Sequence, residues 1–344
     1  MSYKIEESDH MKIMTSPEIS YIFNKDTGFS ATWGVTKEDD PDWCPYGPLI
    51  ADIEITTQCK GPGGKLCKFC YKANNPNGIN MTFDHFAEIF TRLPDTLQQI
   101  AFGVDAQCES NPDTFAIMRL CRDHGVIPNV TVADITDETA DKLSTICGAV
   151  AVSRYDDKSF CYDSVERLTN RGMDQVNIHC MVSEETYDVA LETLEDIKND
   201  PRLQKLNAIV FLSLKKKGRG TGFNRLDDDK FKNLVTICLE SNINFGFDSC
   251  SAVKFLKSVE DHPLYEKLKI VSEPCESSRF SAYINAEGEY FPCSFIEDQE
   301  FHYGAKVIDY KNFLDIWKSD SNRIFRLNSL GCLDKGVACQ EFKI

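Results

Sequence analysis

No run of apolar residues in this sequence approaches the roughly 20 needed to span a bilayer. No secretory signal opens it, because Met1 to His10 is polar and acidic. Basic residues are in deficit: 38 Lys and Arg against 54 Asp and Glu leave a net charge of −16. That balance argues against nucleic acid or an anionic membrane as the main partner. Lys215, Lys216, Lys217 and Arg219 form the one obvious basic cluster. The stretch Lys215–Gly222 lacks the Gly-Lys-Ser/Thr ending of a phosphate loop, so it reads as a cofactor-adjacent or substrate loop. There is no internal repeat and no low-complexity segment. These absences point to a cytoplasmic protein. At 344 residues, 42% of them hydrophobic, the chain can bury one large core with appendages.

Cysteine, by contrast, is abundant, with fifteen residues. An odd number cannot all pair, and a chain of this size does not need disulfide staples. Cys121, Cys147, Cys180 and Cys238 sit inside apolar runs and read as buried small hydrophobes. The rest gather beside turn residues near the two ends of the chain, which points to metal.

Residues 1–50 alternate weakly and read as a short β-rich lead-in, with strands expected at Ile19–Phe23 and Phe29–Val35. From residue 51 the pattern is regular. Strand-like runs occur at Ala51–Thr57, Gln99–Val104, Ile127–Ala133, Ala149–Arg154, Gln175–Met181, Ala208–Leu214 and Ile243–Asp248. Helix-period segments lie between them, at Thr82–Arg92, Asp113–His124, Thr136–Ile146, Ser159–Arg171, Glu184–Asp200 and Asp227–Ser241. Strict alternation implies parallel strands with right-handed crossovers. Six or seven units rather than eight predict an α/β fold built as a partial (β/α)6-type barrel over residues 51–250. An open doubly wound sheet is the alternative. Beyond Cys250 the alternation stops. Phe280–Ile284, a turn at Asn285–Gly288, and Glu289–Phe291 read as a hairpin, and Tyr310–Leu327 has helix period. Residues 251–344 read as a small C-terminal module stitched by metal.

The most informative stretch is Cys59-Lys-Gly-Pro-Gly-Gly-Lys-Leu-Cys67-Lys-Phe-Cys70, just past the first strand of the array. Three close thiolates can hold three irons of a four-iron cluster and leave the fourth iron open to a small molecule. Cys67-Lys-Phe-Cys70 is equally a zinc half-site, but zinc closes with four ligands and no nearby fourth Cys or His is well placed: His85 lies inside a predicted helix, and Cys44 is upstream of the strand. The triad falls at the C-terminal mouth of the barrel, where such folds build active sites.

Phe69 directly precedes the last cysteine, and Gly103 ends the second strand beside Asp105. Together with the triad these resemble the radical S-adenosylmethionine (radical SAM) superfamily, whose usual motif is Cys-x3-Cys-x2-Cys with an aromatic before the last cysteine. Here seven residues separate Cys59 from Cys67, and the Gly- and Pro-rich insert can loop out without moving the thiols. The C-terminal region adds to the resemblance. Cys275 is followed after twelve residues by Gly288 and after four more by Cys293, as in the hairpin of the SPASM and twitch extensions that hold auxiliary iron–sulfur clusters. The helix at Asn312–Ser319, followed by Cys332 and Cys339, fits the same pattern.

The resemblance implies a [4Fe-4S] cluster on Cys59, Cys67 and Cys70, with S-adenosylmethionine on its open iron. One-electron cleavage of that cofactor would give a 5′-deoxyadenosyl radical that abstracts a substrate hydrogen. It implies one auxiliary cluster, twitch-like, on Cys275, Cys293, Cys332 and Cys339, with Cys250 a rival ligand. Phe69 would pack on the adenine, the backbone at Tyr71 would meet its amino edge, and Gly103 and Asp105 would hold the methionine amine. Among the strand mouths, which carry Asp134, Ser153, Arg154, His179 and Lys215, Ser153 would bond the ribose and Arg154 the methionine carboxylate. His179 is either a satisfied core residue or a catalytic one. Asp227-Asp228-Asp229 reads as a helix N-terminus, not a metal site. No residue stands out as the catalytic acid or base. The expected substrate is a peptide or protein, or else a small molecule, with flavodoxin or ferredoxin as electron donor. Two other readings stay open: a zinc-stabilised binding protein, and an iron–sulfur electron-transfer or sensing protein without cofactor cleavage.

Overall fold

The structure is a computed structural model that describes residues 3–36, 40–297, 304–333, 335–336 and 339. The lead-in folds as an antiparallel meander of β1 (Lys4–Glu7), β2 (Met11–Thr15), β3 (Ser20–Asn24) and β4 (Ser30–Trp33). The two expected strands are β3 and β4. The other pair escapes pattern reading because β2 turns Lys12 inward, where its ammonium donates to the Leu97 carbonyl at 2.8 Å.

Seven parallel strands follow: β5 (Ile50–Glu54), β6 (Gln99–Gly103), β7 (Ile127–Val132), β8 (Ala149–Ser153), β9 (Val176–Val182), β10 (Ala208–Ser213) and β11 (Phe245–Phe247). Between them run α1 (Phe83–Phe90), α2 (Thr114–Asp123), α3 (Asp137–Ile146), α4 (Lys158–Thr169), α5 (Tyr187–Asn199) and α6 (Asp228–Glu240). Polar caps start several helices. Thr136 accepts from Thr139 N at 3.2 Å, and Asp227 accepts from Asp229 N at 2.9 Å, as its expected helix-start role requires.

The seven strands lie side by side in chain order. A doubly wound sheet needs a reversal of strand order among its crossovers, so that alternative is excluded. With every crossover right-handed, all six helices fall on one face and the sheet curls away from them as a partial barrel. Alternation divides the strand residues accordingly. Ile53, Phe102, Val130, Val152, Ile178 and Phe211 are buried against the helices, while Asp52, Glu54, Gly103, Thr131, Ser153 and His179 occupy the opposite, concave face. Ala101, Gly103 and Ala151 are small, which leaves that face hollow.

Two short helices, α7 (Ala252–Ser258) and α8 (Tyr265–Ile270), lead to β12 (Ser281–Ile284), β13 (Glu289–Phe291) and β14 (Ala305–Lys306). β12 pairs parallel to β5, β13 antiparallel to β12 and β14 antiparallel to β13, so the expected hairpin and β14 extend the barrel sheet to ten strands. The single helix expected at Tyr310–Leu327 is two: α9 (Phe313–Trp317) and α10 (Asp320–Leu333). The break is stabilised by Asn322, whose amide bonds the Ile316 carbonyl at 3.2 Å and so takes up a helix-end acceptor.

The lead-in sheet closes the N-terminal ends of the strands. Met14, Tyr21 and Phe23 pack on Leu49 and Ile127, and the Tyr21 hydroxyl donates to Thr96 O at 2.9 Å. The opposite, C-terminal ends are therefore the open mouth. Trp317 joins the C-terminal helices to the lead-in. It is fully buried and donates from Nε1 to Cys44 O at 2.8 Å. Among the described residues, no helix is long and apolar enough to cross a membrane. Replacing Trp317 with Ala removes a large buried ring and a hydrogen bond, and is expected to cost about 3–5 kcal/mol, read as a lower urea midpoint. An unchanged midpoint would refute the packing role.

Candidate functional site

The concave face encloses a cavity of about 510 Å³ at the C-terminal strand ends. Cys59, Cys67 and Cys70 line one side, Gly103 and His179 its sheet wall, and Cys250 and Phe295 the side nearest the C-terminal module. The triad and four of the strand-mouth residues named from sequence, Ser153, Arg154, His179 and Lys215, thus line one cavity, and Asp134 is not among its lining residues.

The three thiols sit on one loop after β5. The Cys67 and Cys70 sulfurs are in mutual contact, and Cys59 is close enough for its charge to bear on Cys67. Hydrogen bonding from Cys67, from the backbone at Asn74 and Lys72, and the nearby Arg219 charge hold the Cys70 thiol below its ordinary pKa. Among the described residues, no three His, Cys, Asp or Glu side chains converge tightly enough to hold a single metal ion. A mononuclear zinc site needs that convergence. A multi-iron cluster takes one soft thiolate at each of several corners, and three thiols on one loop facing an open cavity fit such a group.

The insert between Cys59 and Cys67 is tied down rather than looped out. Gly63 N donates to Asp134 Oδ2 at 3.0 Å, and Gln107 Nε2 donates to Gly61 O at 3.1 Å. Phe69 lines the cavity and stacks on Tyr155 at 5.4 Å, and the Tyr155 hydroxyl interacts with Cys67 and Ser153. The Tyr71 ring packs on Phe295 at 4.6 Å. Asp105 is buried, and its carboxylate accepts N–H bonds from Gln107, Glu109 and Ser110 at 3.2, 3.0 and 2.9 Å. It therefore shapes its own loop, and its charge is already satisfied. Arg154 stands between the cavity and the helices. It borders the cavity, but its guanidinium bonds Glu192 of α5 at 2.9 Å and lies 5.7 Å from the Tyr162 ring of α4. Alternation turns it toward the helices, where Glu192 takes Nη2, while its buried Nε and Nη1 have no hydrogen-bond partner among the described residues.

Four features of the site carried no motif. Lys72 lies between Glu54, at 3.2 Å, and Glu297, and donates to Tyr283 Oη at 2.8 Å. The Tyr283 hydroxyl lies 3.1 and 3.2 Å from the same two carboxylates. Burial raises the Glu54 pKa, against the pull of Lys72. Lys215 pairs with Asp248 and sits 4.9 Å from the Phe295 ring. Asp52 and His179 both line the cavity. Burial pushes the Asp52 carboxyl up to about 6 and the His179 imidazole down to about 4. The signal available for Asp52 and Glu54 was two acids at i, i+2 in an apolar strand, which places both on one face.

Near the C-terminal module, Cys250 is within electrostatic reach of Cys275 and Cys293, and Cys293 within reach of Cys275 and Cys339. Cys332 lies on α10 and is not among these partners. Cys121, Cys147, Cys180 and Cys238 are buried core residues, as expected.

No family model matches the chain, and no curated protein matches it. Three solved structures of Streptococcus suis SuiB share its fold. Unliganded SuiB matches with a TM-score of 0.60 at 14% identity, covering 80% of this chain and 66% of that one. SuiB bound to S-adenosylmethionine gives 0.60 at 15% identity, with coverages of 80% and 66%. SuiB bound to its precursor peptide SuiA gives 0.63 at 16% identity, with coverages of 80% and 65%. The chain thus spans just under two thirds of the length of these structures.

Asp52 yields a pH-dependent prediction. Its folded pKa is raised from 3.8 to about 6, so the folded chain holds this proton more tightly than the unfolded chain. The group's contribution is favourable at low pH and is lost as pH rises through about 6. Asp52→Asn is expected to raise unfolding free energy at pH 8 by up to about 3 kcal/mol and to give no gain at pH 4. Equal effects at both pH values, measured by urea unfolding, would contradict this.

Proposed function

We propose that the chain is a radical SAM enzyme, with Cys59, Cys67 and Cys70 holding a [4Fe-4S] cluster and S-adenosylmethionine in the adjoining cavity. The observation that carries the reading is that all three thiols open on one cavity of about 510 Å³ at the C-terminal strand ends. An electron-transfer protein has no need of that space. The fold it shares with a structure bound to S-adenosylmethionine supports the same reading. When bound, the two groups together supply one-electron cleavage of a sulfonium and a hydrogen-abstracting radical.

The chain's own residues bind, orient and exclude water. Phe69, braced by Tyr155, offers an aromatic wall suited to an adenine. Gly103 leaves the second strand end open for close approach, with Tyr71 and Ser153 beside it in the cavity wall. The Asp105 carboxylate fixes the loop beyond Gly103 rather than meeting the cofactor itself. Asp52 and His179 line the cavity with no hydrogen-bond partner shown among the described residues, which leaves them to face substrate.

For the auxiliary cluster, we favour Cys250 over Cys332 beside Cys275, Cys293 and Cys339, because Cys250 lies within electrostatic reach of Cys275 and Cys293, and Cys293 within reach of Cys339. The module from residue 251 onward carries three of them, and the barrel of 51–250 carries the fourth. A peptide or protein substrate is favoured by the shared fold with a structure that holds a precursor peptide; a small molecule is the alternative. Cys59, Cys67 and Cys70 are in no disulfide, which suits the reducing cytoplasm and a flavodoxin or ferredoxin donor.

The test is anaerobic reconstitution with iron and sulfide, followed by dithionite and S-adenosylmethionine. The parent chain should turn brown and release 5′-deoxyadenosine, while Cys67→Ala should release none. A brown parent that leaves the cofactor intact would favour the electron-transfer reading, and a colourless one holding zinc would favour the binding-protein reading.

A further inference from the structure

We propose that Arg219 is a positioning residue for the cysteine loop, acting across the barrel from the β10 side. The proposal rests on the radical SAM reading of the site. Arg219 follows β10, which stands five strands along the sheet from β5, yet it makes three bonds to the loop that follows β5. Its backbone N–H donates to Cys70 O at 3.0 Å, its Nε to Cys67 O at 2.7 Å and its Nη1 to Asn74 O at 3.1 Å. Every acceptor is a main-chain carbonyl, so the Cys67 and Cys70 side chains are left free to bind.

The approach is built into the sequence. Gly218 adopts φ +56°, and a Cβ there would lie 2.6 Å from Cys70 O and closer still to Tyr71 O. Gly220 is similarly crowded, with a Cβ 3.0 Å from Lys215 O and 3.3 Å from Phe69 O. Only a Gly-Arg-Gly turn brings the guanidinium this near. The planar fork matters as well, because a single lysine ammonium cannot reach along both the Cys67 and Asn74 directions at once. Arg219 thus does two things: it fixes where two thiols stand, and it places a positive charge beside the thiolate that would hold the cluster.

The test uses Arg219→Met and Arg219→Lys in the full chain, with two readouts. In the metal-free chain, limited trypsin cleavage at Lys65 and Lys68 is mapped by mass spectrometry. Arg219→Met should speed it severalfold, and Arg219→Lys less. In the reconstituted chain, the midpoint potential of the cluster on Cys59, Cys67 and Cys70 is read in a Cys293→Ala background. It should move to a more negative value in Arg219→Met and return toward the parent value in Arg219→Lys, which keeps the charge. Parent-like cleavage in both variants overturns the proposal. Faster cleavage with an unmoved potential also overturns it, since that is the signature of a structural tie alone. If the parent takes up no cluster, the radical SAM reading falls, and the cleavage readout still decides whether the clamp exists. Should Arg219→Met fail to fold, the neutral Arg219→Gln carries the same comparison against Arg219→Lys.

Discussion

One buried ammonium, shared between two carboxylates, joins the three parts of this site. Lys72 leaves the cysteine loop and meets Glu54 at the end of β5 and Glu297 beyond the C-terminal hairpin, with Tyr283 of β12 between them. The exposures of these side chains, 11%, 6% and 11%, leave little water to compensate a missing partner. Burying such charges is costly, and breaking the set leaves an uncompensated one, so each part specifies the positions of the others. Two acids on one base also leave the network short of positive charge. Burial raises the Glu54 pKa, and the nearby Glu297 charge adds to it against the pull of Lys72.

The rest of the architecture divides the labour along the strand axis. At the N-terminal ends, the lead-in sheet supplies the aromatic packing that closes the barrel floor, and Trp317 ties the C-terminal helices to it. At the opposite ends, the loops carry chemistry and are held by polar contacts rather than by core packing. Asp105, Asp134 and Arg219 each spend their charge on backbone groups of loops around the mouth. Three residues that look like ligand contacts in sequence are therefore the means by which the mouth keeps its shape, and Phe69, Ser153 and the thiols are left facing the space they enclose.

Much of this was legible from the residues. Period-2 runs of Val, Ile and Phe, with polar caps between them, marked all seven parallel strands and six helices, because burial on the helix-facing side imposes a strict pattern. The β12–β13 hairpin was marked by its Asn285–Gly288 turn. The first two lead-in strands were not, since an inward Lys12 mimics a surface position until its acceptor on a distant loop is known. The direction of Arg154 and the nearness of Cys250 to Cys275 and Cys293 depend on which face of a strand end a side chain takes and on how the C-terminal module docks. Neither is a local property. The Lys72 network is similarly invisible, because Lys72 and its partner Glu297 are 225 positions apart.

The central claim is that the cluster on Cys59, Cys67 and Cys70 keeps one iron open for S-adenosylmethionine. Electron paramagnetic resonance of the reduced, reconstituted chain, frozen with and without S-adenosylmethionine, addresses it directly. Direct coordination predicts that the g-values of the cluster signal shift when the cofactor is added and that the shift disappears in Cys67→Ala. A strong cluster signal that is identical with and without the cofactor would contradict the account.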